Sequence, residues 1–390
     1  MAQDESPAVA ASISRSVSRE VQNVPGAKSV LHIGKHYFPR KGGIETVLQY
    51  LVSYQAARMQ VEVVVANEAL RTRVDLLDGA RITRVGCLGM VASQPICPLM
   101  PWKLTGRHEP LVHLHLPNPL AAKAYLMSGH RGRLVVSHHA DTMGRRMLRR
   151  FTDPYVRQVM ERAAAIIVAS KRYQESSEEL VEFASKCHVI PYGIDVEYFS
   201  ADCRDAAEAI RAKYGPRIVL AVARLVPYKG LEYLVDAMQQ VDAKLLVIGK
   251  GHLRDELTAR IERLGITERV CLLGPIEDIR PYYKAAEMLV LPSVTRAEAF
   301  GMVQAEAMAA GLPVINTDLN TGVPEVSIHG LTGITVRPRD AEALAQAIKL
   351  LFDNREMRAR YAEAAKMRAG QEFSVQRMSE STLRLYESVL

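Results

Sequence analysis

Residues 287–318, EMLVLPSVTRAEAFGMVQAEAMAAGLPVINTD, contain the clearest sign of the fold. A short apolar run leads into a polar loop, a helical segment opens at Phe300 and Gly301, and a second apolar run follows. That order predicts a β-strand, a helix and a parallel β-strand, which is the repeating unit of a sheet covered by helices. Gly311 suits the end of the helix, because glycine readily adopts the left-handed backbone found there.

The same alternation of strand and helix extends along most of the 390 residues, a length that favours two domains. Twelve β-branched, apolar runs predict strands, at 29–34, 61–67, 111–117, 133–139, 164–170, 187–193, 217–225, 244–251, 269–276, 287–293, 312–318 and 333–338. They form two series, so we expect two Rossmann-like, doubly wound α/β domains facing each other across a cleft. The predicted divisions are a flexible leader at 1–27, domains at 28–196 and 197–372, and a last helix at 373–390 that packs back on the first domain.

Composition and charge argue against several classes of protein. No apolar stretch approaches the 18 residues of a membrane span, and the polar first 20 residues do not resemble a signal peptide. The five cysteines show no metal-ligand or redox spacing, so we expect a cytoplasmic protein. The whole net charge of +7 lies in residues 31–200, which argues against nucleic-acid binding and for an anionic partner of the first domain.

Two stretches of the second domain have the residues of an anion and sugar site. Glu298, in the loop, and Glu306, in the following helix, can face one ligand. Gly301, which opens that helix, lets backbone N–H groups approach a phosphate. In ARLVPYKG, Arg224 and Lys229 follow a strand and can clamp a diphosphate. Each stretch alone also fits a plain strand–turn–helix with solvated charges.

The first domain offers two further candidates. Gly42 and Gly43 follow a strand and open a helix, an arrangement that suits an anion cradle or a plain turn. In SHHADT, residues 137–142, the two histidines alternate faces, so one of them can point into the cleft while Asp141 orients an imidazole. No partner at metal-ligand spacing is visible, so we expect no metal site.

Together these motifs resemble one family. GGIE, HHAD, PYGID, ARLVPYKG and EAFGMVQAEAMAAGLPV occur in the order seen in the retaining glycosyltransferases of family 4, group 1, which have the GT-B fold. The resemblance covers nearly the whole chain from about Ser29. The stretch from SHHADT to YQESSEEL resembles bacterial polysaccharide mannosyl- and hexosyltransferases.

The resemblance implies a role for each matching residue. Arg224 and Lys229 would bind the donor diphosphate and neutralise the departing charge. Glu306 would bind the nucleotide ribose, and Glu298 the sugar hydroxyls. His139, rather than His138, matches the active-site histidine. Backbone contacts to the sugar and phosphates would come from Phe300, Gly301, Met302 and Val303, and Gly42 and Gly43 would approach the diphosphate or acceptor.

The resemblance also implies front-face transfer with retention, without a metal or other cofactor. The expected donor is a nucleoside-diphosphate sugar, GDP-mannose in the first instance, and the expected acceptor is a glycan or a polyprenyl- or lipid-linked oligosaccharide of surface polysaccharide. Tyr192 in PYGID, where relatives often have asparagine, and GKGHLRDEL at 249–257 depart from the common pattern, so the base is left open. A sugar-nucleotide 2-epimerase and a non-catalytic binding protein of the same fold are the alternatives.

An arginine-rich stretch points to a membrane. In MGRRMLRRF a helix would carry Arg145, Arg146, Arg149 and Arg150 on one face and apolar side chains on the other. Such a helix suits an anionic membrane interface, although the same pattern fits a surface helix with solvated arginines. We therefore expect peripheral contact with the cytoplasmic face of the inner membrane.

Overall fold

A computed structural model describes residues 29–40, 42–91, 94–141 and 146–390, without the side chains of residues 146–152. The predicted leader lies outside the described residues. The chain divides into two units: residues up to Gly193 together with Val375–Leu390 form the first unit, and Ile194–Ser374 form the second. The sequence placed this boundary after residue 196 and began the last segment at residue 373.

The first unit is built on an eight-stranded sheet in the order β10-β9-β8-β7-β1-β2-β4-β3, parallel except for β3 against β4. β5 and β6 form a separate two-stranded ribbon. The strands are β1 Ser29–Ile33, β2 Gln60–Ala66, β3 Arg73–Leu77, β4 Ala80–Val85, β5 Met90–Val91, β6 Gln94–Pro95, β7 Leu111–Leu116, β8 Arg133–His138, β9 Ala165–Val168 and β10 Cys187–Val189.

The second unit has a six-stranded parallel sheet in the order β13-β12-β11-β14-β15-β16. β11 and β14 are neighbours at the centre of this sheet. The chain runs from β11 toward one edge of the sheet and from β14 toward the other edge. A ligand site is expected at the carboxyl ends of such a pair. The strands are β11 Ile218–Val222, β12 Lys244–Ile248, β13 Val270–Gly274, β14 Met288–Leu291, β15 Val314–Thr317 and β16 Gly333–Val336.

Helices connect most of the parallel strands. They are α1 Gly43–Ala56, α2 Met100–Leu104, α3 Pro119–Ser128, α4 Arg146–Arg162, α5 Lys171–Ser176, α6 Val196–Ser200, α7 Arg204–Tyr214, α8 Leu231–Ala237, α9 Arg254–Arg263, α10 Arg280–Ala285, α11 Met302–Ala309, α12 Val323–Val326, α13 Ala341–Asp353, α14 Arg355–Glu372 and α15 Val375–Val389. Short 3₁₀ helices occupy Val181–Lys186, Pro227–Lys229 and Met238–Gln240.

The last helix belongs to the first unit, where α15 packs on α1. Tyr54 on α1 donates a hydrogen bond to Glu380 at 3.1 Å, and Gln55 donates to the Tyr386 hydroxyl at 3.4 Å. In the second unit, apolar residues of α8, α9 and α13 pack against the sheet strands in one buried cluster. Within the described residues, no helix is long and apolar enough to cross a membrane.

The twelve predicted strands are confirmed, with ends shifted by a few residues. The β3–β4 hairpin was not predicted, although it has a clear signal. Asp78 and Gly79 form its turn with φ values of 55° and 74°. An Asp-Gly pair between two alternating runs favours this turn, because both central residues need a positive φ.

Candidate functional site

A buried ion pair lies at the carboxyl ends of β11 and β14. Lys229 ends the 3₁₀ turn after β11, and its Nζ contacts Oε2 of Glu298 in the loop after β14. Ser293 donates a second hydrogen bond to the same carboxylate oxygen at 2.9 Å. Lys229 and Glu298 are 8% and 7% exposed, so water screens their charges weakly. The structure thus joins two of the predicted site residues.

Two glycines let the loops around this pair pack tightly. Gly230 has φ +62°, and a Cβ there would collide with the carbonyl oxygen of Pro292. Gly301 has φ +76°, and a Cβ there would lie 2.7 Å from Cδ2 of Leu291. Both positions therefore require glycine for backbone conformation and for space.

Glu306 lies in the second turn of α11 and is partly buried. The Tyr283 hydroxyl donates a hydrogen bond to its Oε2 at 2.9 Å. Burial raises the pKa of Glu306 to about 7, against the opposing effects of the Tyr283 hydrogen bond and the positive charge of Lys229. Near neutral pH this carboxyl group can therefore either accept or donate a hydrogen bond.

Arg224 is the exposed member of the predicted cation pair. Its guanidinium donates a hydrogen bond to the Tyr228 hydroxyl at 2.9 Å. Arg224 Cζ lies 5.8 Å from the centre of the Tyr228 ring, and Lys229 Nζ lies 5.4 Å from the same centre. Tyr228, which the sequence did not single out, thus contacts both cations at the end of β11.

The remaining predicted donor contacts surround the start of α11. Phe300 is buried and packs edge-to-face on Phe373 with ring centres 5.8 Å apart, whereas Met302 and Val303 are half-buried in the first helical turn. Gly301 precedes them and has no side chain to cap the helix. The unpaired N–H groups and the positive end of the helix dipole thus lie at Gly301, three residues after Glu298.

In the first unit, Gly42 and Gly43 open α1 as predicted. Gly42 has extended backbone, and a Cβ there would collide with the carboxylate of Glu45. The helix has no side-chain N-cap. Anion binding by these residues stays a prediction.

His139 follows β8 and belongs to a row of buried histidines. His32 Nε2 lies 2.8 Å from Gln55 Oε1, and His32 Nδ1 lies 3.1 Å from His115 Nε2. His115 Nδ1 lies 3.0 Å from His139 Nε2, and His139 Nδ1 lies 2.7 Å from the Tyr192 hydroxyl. We call these five residues the histidine row.

Burial keeps these imidazoles neutral. It lowers the pKa of His32 to about 4 and that of His139 to about 3. The pKa values of His113 and His115 also fall well below the ordinary value, first because of burial and then because neighbouring histidines disfavour a positive charge. Histidine at position 139 therefore acts as an uncharged group at neutral pH.

His138 has different partners. Its Nε2 lies 3.0 Å from Glu179 Oε2, and its Nδ1 lies 3.1 Å from the Tyr173 hydroxyl, which also contacts Asp141 at 3.0 Å. Asp141 thus reaches the imidazole of His138 through Tyr173. The prediction that His138 and His139 face apart agrees with these contacts.

Among the residues that the structure describes, two groups of side chains bring potential ligand atoms within 4.8 Å of one another. One consists of His32, His113 and His115, and the other of His138, Asp141 and Glu179. His113 and His115 lie on β7, and β1, β7 and β8 are neighbours in the sheet, which brings histidines distant in sequence close together. The absence of a metal requirement stays a prediction.

Two family models match the chain: residues 41–198 match Glycosyltransferase Family 4, and residues 204–368 match Glycosyl transferases group 1. The chain belongs to the family 4 glycosyltransferases. The resemblance seen in the motifs is therefore confirmed. One match falls almost wholly on the first unit of this glycosyltransferase and the other on its second unit.

Three characterised relatives illustrate the range of this family. The glycosyltransferase is 32% identical to D-rhamnosyltransferase WbpZ of Pseudomonas aeruginosa over 63% of this chain and 64% of the relative. It is 27% identical to O-antigen chain mannosyltransferase C of Escherichia coli over 93% and 98%. It is 28% identical to the GDP-mannose-dependent alpha-(1-6)-phosphatidylinositol monomannoside mannosyltransferase of Mycolicibacterium smegmatis over 84% and 90%. The glycosyltransferase thus spans less than two thirds of the first relative and most of the other two.

Solved structures show the same fold. Anabaena HepE in complex with UDP has a TM-score of 0.76 and 22% identity, over 92% of this glycosyltransferase and all of the Anabaena chain. Sucrose-phosphate synthase from Thermosynechococcus elongatus has a TM-score of 0.79 and 22% identity, over 93% and 99%. The predicted GT-B fold with two Rossmann-like domains is confirmed.

The predicted arginine face lies outside the described residues, and one cluster of side chains was not predicted. Arg145 lies outside the described residues, as do the side chains of Arg146, Arg149 and Arg150. The histidine row was missed, although the alternating histidines of LVHLHL place two imidazoles on one face of a buried strand. His32 lies on the neighbouring β1 and His139 follows the neighbouring β8, whereas Gln55 lies on α1 and Tyr192 follows β10, so strand order and helix packing were needed to find them.

Proposed function

We propose that this glycosyltransferase moves a hexose from a nucleoside-diphosphate sugar to a hydroxyl group of a growing glycan, with retention of configuration. The observation that carries the proposal is the buried Lys229–Glu298 pair beside Glu306 at the carboxyl ends of β11 and β14. A diphosphate and a sugar need cations and carboxylates held in fixed positions. This edge of the second sheet supplies both.

The cations serve the departing diphosphate in this proposal. The bond between the sugar C1 and the diphosphate oxygen breaks, and C1 forms a bond to the acceptor oxygen on the same face. The acceptor hydroxyl proton passes to an oxygen of the leaving phosphate. Arg224 and Lys229 stabilise the negative charge that grows on the diphosphate, so the step needs no metal ion.

The carboxyl groups hold the donor in this proposal. Glu298 accepts hydrogen bonds from sugar hydroxyls while Lys229 holds its carboxylate in place. Glu306 binds the ribose hydroxyls, and the N–H groups of the first turn of α11 face the phosphates. Lys229 then contacts both the sugar-binding carboxylate and the diphosphate.

GDP-mannose is the proposed donor, and a glycan or lipid-linked oligosaccharide of surface polysaccharide is the proposed acceptor. The names of the Escherichia coli and Mycolicibacterium relatives support a mannosyl donor, and the first of them supports an O-antigen-type acceptor. The UDP in the Anabaena structure makes UDP-sugars the first comparison. Neither the described site nor these relatives favour a sugar-nucleotide 2-epimerase.

A donor screen followed by a transfer assay tests the proposal. GDP-mannose should raise the melting temperature more than UDP-, ADP- or dTDP-sugars, because ligand binding stabilises the folded state by mass action. Glu298→Gln should retain the fold and lose transfer to a lipid-linked oligosaccharide. Full activity of that variant, or interconversion of donor sugars without an acceptor, contradicts the proposal.

Membrane contact is part of the proposed function and rests on the sequence of MGRRMLRRF. Vesicles with anionic lipid should sediment the enzyme, and neutral vesicles should not, because juxtamembrane arginines are attracted to anionic headgroups. Replacing Arg145, Arg146, Arg149 and Arg150 by glutamine should abolish sedimentation. Equal and negligible sedimentation with both vesicle types contradicts this part of the proposal.

A further inference from the structure

The histidine row has one hydrogen atom available for each of its contacts when its imidazoles are neutral. A neutral imidazole carries one N–H donor and one bare nitrogen acceptor. In three neutral imidazoles bonded in series, the tautomer of the first therefore fixes the tautomers of the other two. All the hydrogen bonds of the series then run in the same direction. The residue at the end of the row sets that direction.

Gln55 is that residue. Its Oε1, an acceptor without a hydrogen, faces His32 Nε2 at 2.8 Å, so the His32 proton must be on Nε2. The bare Nδ1 of His32 then accepts from His115 Nε2, and the bare Nδ1 of His115 accepts from His139 Nε2. His139 is left with a bare Nδ1, which accepts a hydrogen bond from the Tyr192 hydroxyl.

A side branch of hydrogen bonds is compatible with this orientation of the Gln55 amide. The amide nitrogen of Gln55 donates to the Tyr386 hydroxyl at 3.4 Å, and the Tyr386 oxygen lies 2.5 Å from His113 Nδ1. His113 Nε2 lies 2.8 Å from Ser137 Oγ. Gln55, His32, His113 and His115 are buried, so water does not compete for these contacts.

We propose that Gln55 is a positioning residue that fixes the tautomer of His139 through His32 and His115, with the proton on Nε2 and a bare Nδ1. In this tautomer the nitrogen that faces Tyr192 can only accept a hydrogen bond. The amide of one glutamine on α1 thus determines the hydrogen-bonding character of a residue at the end of β8.

The consequence for catalysis rests on the proposed function. If His139 contacts the transferred sugar, its Nδ1 accepts from a sugar hydroxyl that replaces Tyr192 and cannot donate to a phosphate or carbonyl oxygen. Tyr192 supplies the hydroxyl that occupies this acceptor in the protein described here. A reversed row would present an N–H group and would favour a different ligand atom.

The tautomers can be measured directly by long-range ¹H–¹⁵N correlation spectroscopy on protein with ¹⁵N-labelled histidine, assigned by single histidine substitutions. His32, His115 and His139 should each show a proton on Nε2 and an unprotonated Nδ1 at pH 7.5. A proton on His139 Nδ1, or on both of its nitrogens, overturns the proposal. So does a metal ion that copurifies in stoichiometric amount and is lost from a His32→Gln variant.

Gln55→Leu tests the direction. His32 Nε2 loses its acceptor, so part of the row should reverse and His139 should gain signal for a proton on Nδ1. Ser137→Ala is the matched control, because it removes one buried hydrogen bond of the branch and none of the row. Unchanged tautomers in Gln55→Leu, or equal changes in Ser137→Ala, contradict the role of Gln55.

An activity measurement links the row to the reaction. With the donor found by the screen, Gln55→Leu should lower kcat/KM for the donor by roughly tenfold, the effect of one hydrogen bond, and alter its pH profile. Ser137→Ala should change neither by more than about twofold. If no nucleotide sugar is turned over, the proposed function fails while the tautomer measurement still decides the present proposal. A tautomer change in Gln55→Leu with unaltered kcat/KM contradicts the link to catalysis.

Discussion

The hydroxyl oxygen of Tyr192 lies 2.7 Å from Nδ1 of His139, and both residues are buried in the first unit. Tyr192 stands in PYGID where the resemblance leads one to expect asparagine, and it contacts His139, which the resemblance assigns to the active site. Tyr192, the residue that departs from the common pattern, therefore contacts a residue of the candidate site.

Tyr192→Phe should destabilise the enzyme by about 1–3 kcal/mol, because the bare Nδ1 of His139 is left buried without a hydrogen-bond donor. Urea unfolding at pH 7.5 measures the change. Tyr125→Phe, at another buried tyrosine of the same unit, is the control and should cost less. Equal costs in the two variants count against the hydrogen bond to His139.

The buried histidines should make the enzyme sensitive to acid. The folded pKa values of His32 and His139, about 4 and 3, lie below the ordinary 6.5, so the unfolded state binds protons first as the pH falls. Stability is thus complete above pH 6.5 and is lost toward pH 4, at roughly 1.4 kcal/mol per pH unit for each histidine. His113 and His115 add to the loss.

Urea unfolding between pH 7.5 and 4.5 checks this slope. Several such histidines together should remove a total stability of about 5–15 kcal/mol within two pH units or so. His115→Gln, with one titrating group fewer, should show a shallower slope whatever its stability at pH 7.5. If the stability of His115→Gln falls with pH as steeply as that of the unsubstituted enzyme, His115 does not contribute to the acid sensitivity.

Glu306 should act in the opposite sense. Its folded pKa of about 7 lies above the ordinary 4.5, so its contribution to stability is complete below pH 4.5 and is lost as the pH rises toward 7. Glu306→Gln removes this titration. The stability of the variant relative to the unsubstituted enzyme should rise by about 3 kcal/mol between pH 4.5 and 8.

Parallel urea titrations of the two proteins measure that difference, in which all other titrating groups cancel. Glu342→Gln is a suitable control, because Glu342 is an exposed carboxylate whose pKa is lowered by hydrogen bonds from Gln240 and Gln346. A difference between Glu306→Gln and the unsubstituted enzyme that does not change with pH is inconsistent with a raised pKa.

Gly301→Ala should cost more than the same change at Gly265. Both glycines have a positive φ, 76° and 64°, which alanine adopts at a cost of about 1–2 kcal/mol. A Cβ at Gly301 also meets Leu291 and Gln304, whereas none of the described atoms lies within 4 Å of a Cβ at Gly265. The extra loss in urea unfolding measures the close approach, and equal losses refute it.

The sequence predicts those features of the fold and the site that depend on residues close together in the chain. The strands and the Lys229–Glu298 site follow from short motifs, because parallel strands bring their carboxyl ends to one edge. The β3–β4 hairpin was missed although Asp78-Gly79 is a local signal. The histidine row has a local signal only in LVHLHL, since His115 reaches His139, and Gln55 reaches His32, only once the order β8-β7-β1 and the packing of α1 are known.

The Lys229–Glu298 pair gives the sharpest energetic prediction. Lys229→Met should destabilise the second unit by about 3–5 kcal/mol, because Glu298 is left buried without its counter-charge. The double variant Lys229→Met, Glu298→Leu removes both charges and should be more stable than Lys229→Met alone. A double-mutant cycle in urea measures the coupling. Additive losses would mean that the two charges are independently solvated, and the double variant should have no transferase activity in either case.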